Sequence, residues 1–159
     1  MPARLPLHLA ALMASALSTG VFFGTRTSLG PSTRRFSPRT YLEVQQATVR
    51  NLRPVMGPLL PAAVVMDLAV LALQRSGRRS VLALNLAGSV GQLASLVLTA
   101  AVELPINARV LTWSPEDPPE GWEDVRDRWA RTHTVRAVTS VLGLGALLAA
   151  ALLQAPRSR

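Results

Sequence analysis

The chain contains no cysteine and no lysine. The first absence excludes disulfides, thiolate metal sites and cysteine nucleophiles. The second leaves arginine as the only strongly basic residue, 17 of them against 9 acids, for a formal net charge of +8. Charge as a whole is scarce. Asp, Glu, Lys and Arg make up 16% of the chain, where a soluble domain carries about one quarter. Aromatic residues reach only 4%, so Ala, Leu and Val supply the hydrophobicity. No phosphate loop, dinucleotide fingerprint, haem-attachment motif or three-ligand metal cluster is present in the sequence. A basic total permits nucleic-acid binding. Here, however, the arginines bracket apolar blocks instead of lining one polar helix, so membrane lipids are the expected partner and nucleic acid is not.

What the chain does have is four apolar blocks, at about residues 5–23, 54–73, 80–102 and 133–153. A helix rises about 1.5 Å per residue and the hydrocarbon layer is roughly 30 Å thick, so about 20 residues span it. The blocks meet that length. Four of them in 159 residues leave too little polar helix surface to cover a soluble core. The expected fold is all-α: a four-helix transmembrane bundle in a single membrane domain, 1–159, with partly helical segments between helices 1 and 2 and between helices 3 and 4. A secretory signal peptide is the alternative for the first block, because Arg4 precedes an apolar run with small residues. The run continues through Val21, Phe22 and Phe23, which fits a retained anchor better. Pro54, Pro58 and Pro61 are expected in the first turns of the second block, where missing amide donors matter least. Gly88 with Ser89, and Gly143 with Gly145, offer surfaces for close helix contact.

Four crossings put both chain ends on one side, with the turn 75–79. The segments 24–53 and 103–133 share the other side. The side of the chain ends carries Arg4, Arg75, Arg78, Arg79, Arg157 and Arg159 and no acid. The opposite side carries more arginine, but also six acids within 116–127. The tight arginine turn favours cytoplasmic chain ends in the cell membrane, although raw counting of basic residues points the other way. Residues 31–39 read as a turn-rich loop. Residues 40–53 form an amphipathic pattern with Tyr41, Gln45, Thr48 and Leu52 on one stripe. Pro115, Pro118 and Pro119 interrupt regular helix, and 122–132 resume a helical pattern running into the fourth block.

Polar residues converge on that second side. Glu103 ends the third block, and Asn107 follows at helical spacing, with Pro105 between them disturbing a perfect helix. Trp129, His133 and Arg136 are spaced four and three apart, one stripe entering the membrane. Arginine near hydrocarbon is costly unless it reaches water or pairs, and a carboxylate such as Glu103 can hold it by two parallel bonds. His133 carries an imidazole, a group able to donate or accept a proton. Tyr41, Gln45 and Arg53 arrive on the same side, as do all three tryptophans, Trp113, Trp122 and Trp129. Interfacial anchoring and helix pairing account for the same residues without a ligand. Asp67 stands deeper in the second block, with Asn85 and Gln92 as candidate partners.

The stretches ELPINARVLTW (103–113) and GWEDVRDRWARTHTVRAV (121–138) resemble the signature of the anthrone oxygenase-like family of small integral membrane proteins. The pattern is Glu-x-Pro-x-Asn, a Trp, a Trp beside Arg, and His-x-x-Arg opening the last helix. Here it is carried by Glu103, Pro105, Asn107, Trp113, Arg128, Trp129, His133 and Arg136. The stretch YLEVQQATVRNLRPVM (41–56) is similar to the segment leading into the second helix of bacterial members. The resemblance implies a four-helix membrane bundle that oxidises an anthrone to an anthraquinone with molecular oxygen, without an evident metal or flavin cofactor. It also implies catalytic residues: His133 as base, Arg136 and Asn107 as oxyanion donors, and Glu103 orienting His133 or Arg136. Tyr41, Trp113 and Trp129 would pack on a flat aromatic small molecule, and Gln45 joins them as a substrate-binding candidate. Two other functions compete: a non-catalytic lipid-binding or scaffold protein, and a small transporter using Asp67. The oligomeric state is left open.

Overall fold

Polar and apolar side chains are distributed in the reverse of a soluble protein. Leu5, Leu9, Met13 and Leu17 form an exposed stripe on the first helix, as do Leu82, Leu86, Val90 and Val97 on the third. Ser15, Ser18, Thr19, Asn85, Ser89, Gln92, Ser95 and Ser140 are buried. Water would disfavour that arrangement. A bilayer favours it, because lipid tails offer polar groups nothing and helices must satisfy one another.

The computed structural model describes residues 4–74 and 78–154. Its helices are α1 (Arg4–Ser28), α2 (Pro38–Ala72), α3 (Arg79–Leu98), α4 (Leu104–Val110) and α5 (Trp122–Gln154), and a π-helical turn, Thr99–Glu103, joins α3 to α4. The described residues contain no strand. Because α3, the π turn and α4 form one rod, the described residues make four rods, each long and apolar enough to cross a membrane. Of the arginines assigned to the side of the chain ends, Arg75, Arg157 and Arg159 lie outside the described residues, as does the middle of the 75–79 turn.

Two rods are longer than the apolar blocks suggest. The amphipathic 40–53 segment and the second block are one helix, with Pro54, Pro58 and Pro61 inside it rather than in its first turns. At 35 residues, α2 is roughly 50 Å long, so its first half projects beyond the hydrocarbon. Ser37 caps its start by accepting the Thr40 amide, and Pro38 occupies the first turn, where its missing N–H costs little. The helical pattern at 122–132 likewise runs unbroken into the fourth block. Gly121 takes a left-handed φ of 75° just before it, a conformation that glycine adopts without strain.

These extensions build a second layer outside the membrane. Tyr41, Leu42, Ile106, Val110, Trp122 and Trp129 form a buried apolar cluster, with Phe36, Trp113 and Val125 packed against it. Gln46 Nε2 donates to the carbonyls of Val110 (3.0 Å) and Trp113 (2.8 Å), tying α2 to the turn that follows α4.

Within the membrane, α3 and α5 approach most closely. A Cβ added at Gly91 would stand 2.8 Å from the Thr139 carbonyl oxygen and 2.9 Å from Gly143 Cα; one added at Gly143 would stand 3.0 Å from the Gly88 oxygen. Gly145, also expected at a contact, has no atom within 4 Å of such a Cβ. Beside this seam runs a closed ring of hydrogen bonds. Thr19 and Ser140 hydroxyls lie 2.6 Å apart, Ser140 donates to Gln92 Oε1 (3.2 Å), and Gln92 Nε2 donates to the Ser140 carbonyl (3.2 Å) and to Thr19 (3.4 Å). Such interhelical bonds contribute about 0.6 kcal/mol each on average in membrane bundles. Asp67 accepts from Ser15 at 2.7 Å. Its expected partners are occupied elsewhere, Asn85 with Gln74 and Gln92 in the ring.

Replacing Gly91 or Gly143 with leucine is expected to destabilise the bundle by about 1–3 kcal/mol through overpacking, while Gly145→Leu stays near wild type. Thermal unfolding in one detergent, by loss of helical circular dichroism, compares the three. Equal midpoints for all would mean the seam is not close-packed.

Candidate functional site

Where α3 passes into α4, the regular helix gives way to the π turn. Pro105 has no amide hydrogen for the carbonyl four residues earlier, and the Leu104 amide bonds to the Thr99 oxygen, five residues back. One extra residue is thereby fitted into the rod. Such turns are frequent at functional sites, and here the turn carries Glu103, which is 1% exposed.

Glu103 meets α5. Its Oε2 lies 2.6 Å from Arg136 Nη1, and the same Nη1 donates to Thr99 Oγ1 at 2.9 Å. The guanidinium stands 4.0 Å above the Phe22 ring, adding a cation–π contact. Arg136 Nη2 also lies 2.7 Å from His133 Nδ1. A guanidinium only donates, so Nδ1 accepts and carries no proton. His133 Nε2 lies 3.1 Å from the Phe22 carbonyl, which only accepts, so Nε2 carries the proton. Both ring nitrogens of a neutral imidazole are thus engaged, and the ring stacks on Trp129 at 4.6 Å and 10°. Trp129 Nε1 donates to Asn107 Oδ1 at 3.1 Å, with Gln45 Nε2 at 3.5 Å from the same oxygen.

These groups form one wall of a cavity of about 440 Å³. Gln45, Thr99, Glu103, Asn107, Trp129, His133 and Arg136 line it on the polar side, and Val21, Phe22, Met56, Leu60 and Leu96 on the apolar side. Two lining stripes are exposed: Arg53, Gly57 and Pro61 on α2, and Ala100, Leu104 and Ala108 on the π turn and α4. Each stripe repeats every four residues, so each runs along one helix edge. Together they mark the mouth of the cavity, between α2 and the third rod. Gly57, Pro61 and Ala100 belong to the apolar blocks, so the mouth opens at the level of the hydrocarbon.

The structure brings Glu103, Asn107, His133, Arg136, Gln45 and Trp129 together, as their spacing suggested. It places Tyr41 and Trp113 elsewhere. Tyr41 packs against Trp122 at 5.3 Å between ring centroids, and Trp113 lies under Arg109 at 5.4 Å; neither lines the cavity. Tyr41 stands one turn before Gln45 on the stripe that lines the cavity, and Trp113 follows the end of α4, so both rings enter the outer apolar layer beyond the cavity. Thr99 and Phe22 were not foreseen. Thr99 stands four residues before Glu103, a spacing that would have revealed it, whereas Phe22 gave no signal in a run of apolar residues. Asp67 does not line the cavity.

The anthrone oxygenase family model matches residues 46–146. The chain belongs to the anthrone oxygenase family. Comparison with curated proteins and with solved structures gives no match. The matched span of this anthrone oxygenase-family protein contains Glu103, Asn107, Trp129, His133 and Arg136, and excludes Phe22 and Gln45, whose positions only the folded chain relates to the others.

Removing one member of a buried ion pair strands the other and costs about 3–5 kcal/mol. Glu103→Gln and Arg136→Met are each expected to lower the thermal midpoint in detergent. The double variant Glu103→Gln/Arg136→Met should melt above both single variants. Strictly additive losses would mean the two groups do not compensate each other.

Proposed function

We propose that this protein is an oxygenase that converts a membrane-dissolved polycyclic phenol or quinol-like compound, an anthrone in the first instance, with molecular oxygen. The observation that carries this reading is a buried Glu103–Arg136–His133 cluster in the wall of a cavity whose exposed lining lies along the edges of α2 and the third rod. An anthrone is the keto form of an electron-rich phenol. Loss of a benzylic proton leaves an anion able to give electrons to oxygen directly. The C–O bond then formed yields a hydroperoxide, and loss of water with the second benzylic hydrogen leaves the new carbonyl. Protein groups need only bind, orient and move protons. Arg136 supplies a cation for the developing oxyanion. Asn107 has its Oδ1 occupied by Trp129 and Gln45, which leaves Nδ2 to donate. Trp129 and Leu60 offer flat, apolar contact.

A scaffold or lipid-binding role is the second reading. It is favoured by the same Glu103–Arg136 bond, which ties the third rod to α5 whether or not a substrate enters. The transporter reading has less support, because the Asp67 carboxylate is held by Ser15 away from the cavity. We also place the chain ends in the cytoplasm of a cell bounded by this membrane, from the acid-free Arg78 and Arg79 at the start of α3.

Purified protein incubated with hydroxylated anthrones in air is expected to consume one oxygen per quinone formed, above the rate of autoxidation. No protein-dependent uptake across the panel would end the oxygenase reading. Gly57→Leu should raise KM several-fold with little change in kcat, since a Cβ there meets no atom within 4 Å and the side chain narrows the mouth without disturbing the bundle. An unchanged KM would place the entrance elsewhere. The lack of native cysteine makes the orientation testable by labelling. In intact cells an impermeant maleimide should reach Ser114→Cys and spare Ser80→Cys, and the reverse pattern would invert the topology.

A further inference from the structure

We propose that Glu103, through Oε1, is the group that takes the proton from the substrate, and that His133 is a positioning residue. The proposal rests on the oxygenase reading for the class of substrate, a carbon acid whose anion is delocalised onto a ring oxygen.

Hydrogen-bond accounting is the first argument. His133 has no free nitrogen. Nδ1 accepts from Arg136 and Nε2 faces the Phe22 carbonyl. Taking a proton at Nδ1 would break the bond to Arg136 and set two donors 2.7 Å apart. Glu103 differs. Its Oε2 holds Arg136, while Oε1 is buried and has no hydrogen-bond partner among the described residues. His133 Nδ1 lies 3.4 Å from it, and since that nitrogen presents a lone pair, two acceptors face each other. A buried acceptor left open is costly, and this one belongs to a residue lining the cavity. A proton delivered there relieves the conflict.

Charge conservation is the second argument. Before transfer the wall holds one cation, Arg136, and one anion, Glu103. If Glu103 takes the proton, the carbon–hydrogen bond breaks, its electron pair stays on the substrate, and a new O–H bond forms on Oε1. The wall then holds Arg136 and the substrate anion, again one of each. The guanidinium released from Glu103 is the partner for the substrate oxygen, and Thr99 keeps it in place through the 2.9 Å bond. If His133 took the proton instead, the site would hold two adjacent cations and two anions. In a poorly polarisable bilayer interior that separation is disfavoured. The role of His133 is then to hold Arg136 from one side, while Trp129 and the Phe22 carbonyl fix its ring.

Proton abstraction can be followed without the oxygen step. Under argon in deuterium oxide, detergent-solubilised protein and a hydroxylated anthrone are mixed, and deuterium entry at the benzylic carbon is read by mass spectrometry. Wild-type protein is expected to accelerate exchange by roughly 100-fold, the usual weight of a positioned base. Glu103→Gln should fall to the buffer rate. His133→Gln should slow exchange by on the order of tenfold, the weight of one orienting hydrogen bond. A folded Glu103→Gln protein that exchanges at the wild-type rate would overturn the proposal, as would complete loss in His133→Gln alone. Infrared difference spectra of the wild-type protein give a second measurement that needs no variant to fold. Adding the anthrone under argon should raise a protonated-carboxyl band that shifts with carbon-13 glutamate, and an imidazolium band without it would assign the base to His133. Exchange without oxygen uptake in air would sink the oxygenase reading and leave Glu103 as the base. Oxygen uptake without the carboxyl band would do the opposite. A wild-type protein that exchanges no faster than buffer removes Glu103 as the base, and oxygen uptake in air decides the oxygenase reading separately.

Discussion

A carboxylate and a guanidinium held 2.6 Å apart at the membrane end of the bundle set the terms for the surrounding structure. Neither charge is tolerable alone in so apolar a setting. Their pairing therefore obliges the third rod and α5 to meet at one depth and in one rotation. The π turn serves that requirement by shifting the rod's register where Pro105 already interrupts the regular ladder. Thr99 and His133 then accept from the two terminal nitrogens and Phe22 packs on the guanidinium face, while its buried Nε has no hydrogen-bond partner among the described residues.

Farther into the membrane the same logic operates with neutral groups. The Thr19–Ser140–Gln92 ring and the Gly91–Gly143 seam hold the rods where hydrophobic burial gives no preference of protein over lipid. One region of the bundle is left unfilled. The α2 edge with Arg53, Gly57 and Pro61 stands apart from the edge with Ala100, Leu104 and Ala108, and the cavity lies between them. Tight packing along α3 and α5 and slack packing against α2 are complementary. The first fixes the polar wall, and the second gives a ligand from the bilayer a way in. The outer layer around Tyr41 and Trp122 shares Trp129 with the cavity wall.

Much of this was legible residue by residue. The spacing of Trp129, His133 and Arg136 put them on one stripe, and the place of Glu103 at the end of the third block put it at their depth. That reasoning needs only helical periodicity and the thickness of a bilayer. The three prolines of α2 misled it, because proline usually marks a helix end, and a membrane helix tolerates it in the interior when the freed carbonyls face outward or find neighbours. Tyr41 and Trp113 were legible as aromatic side chains on the correct side, but not as members of a separate layer. Which of two apolar surroundings a ring enters depends on its position along the bundle: Tyr41 shares the stripe of the cavity-lining Gln45 but stands one turn farther out, and Trp113 lies past the end of α4.

By itself, then, the sequence determined the medium, the number of crossings and the set of polar groups sharing one side, because hydropathy and helical spacing are properties of the chain alone. Tertiary structure decided which nitrogen of His133 carries the proton, which oxygen of Glu103 is left open, and that a cavity exists at all. Those depend on the relative positions of atoms from α1, α2, the π turn and α5, set by packing contacts far apart in sequence. No local pattern encodes them.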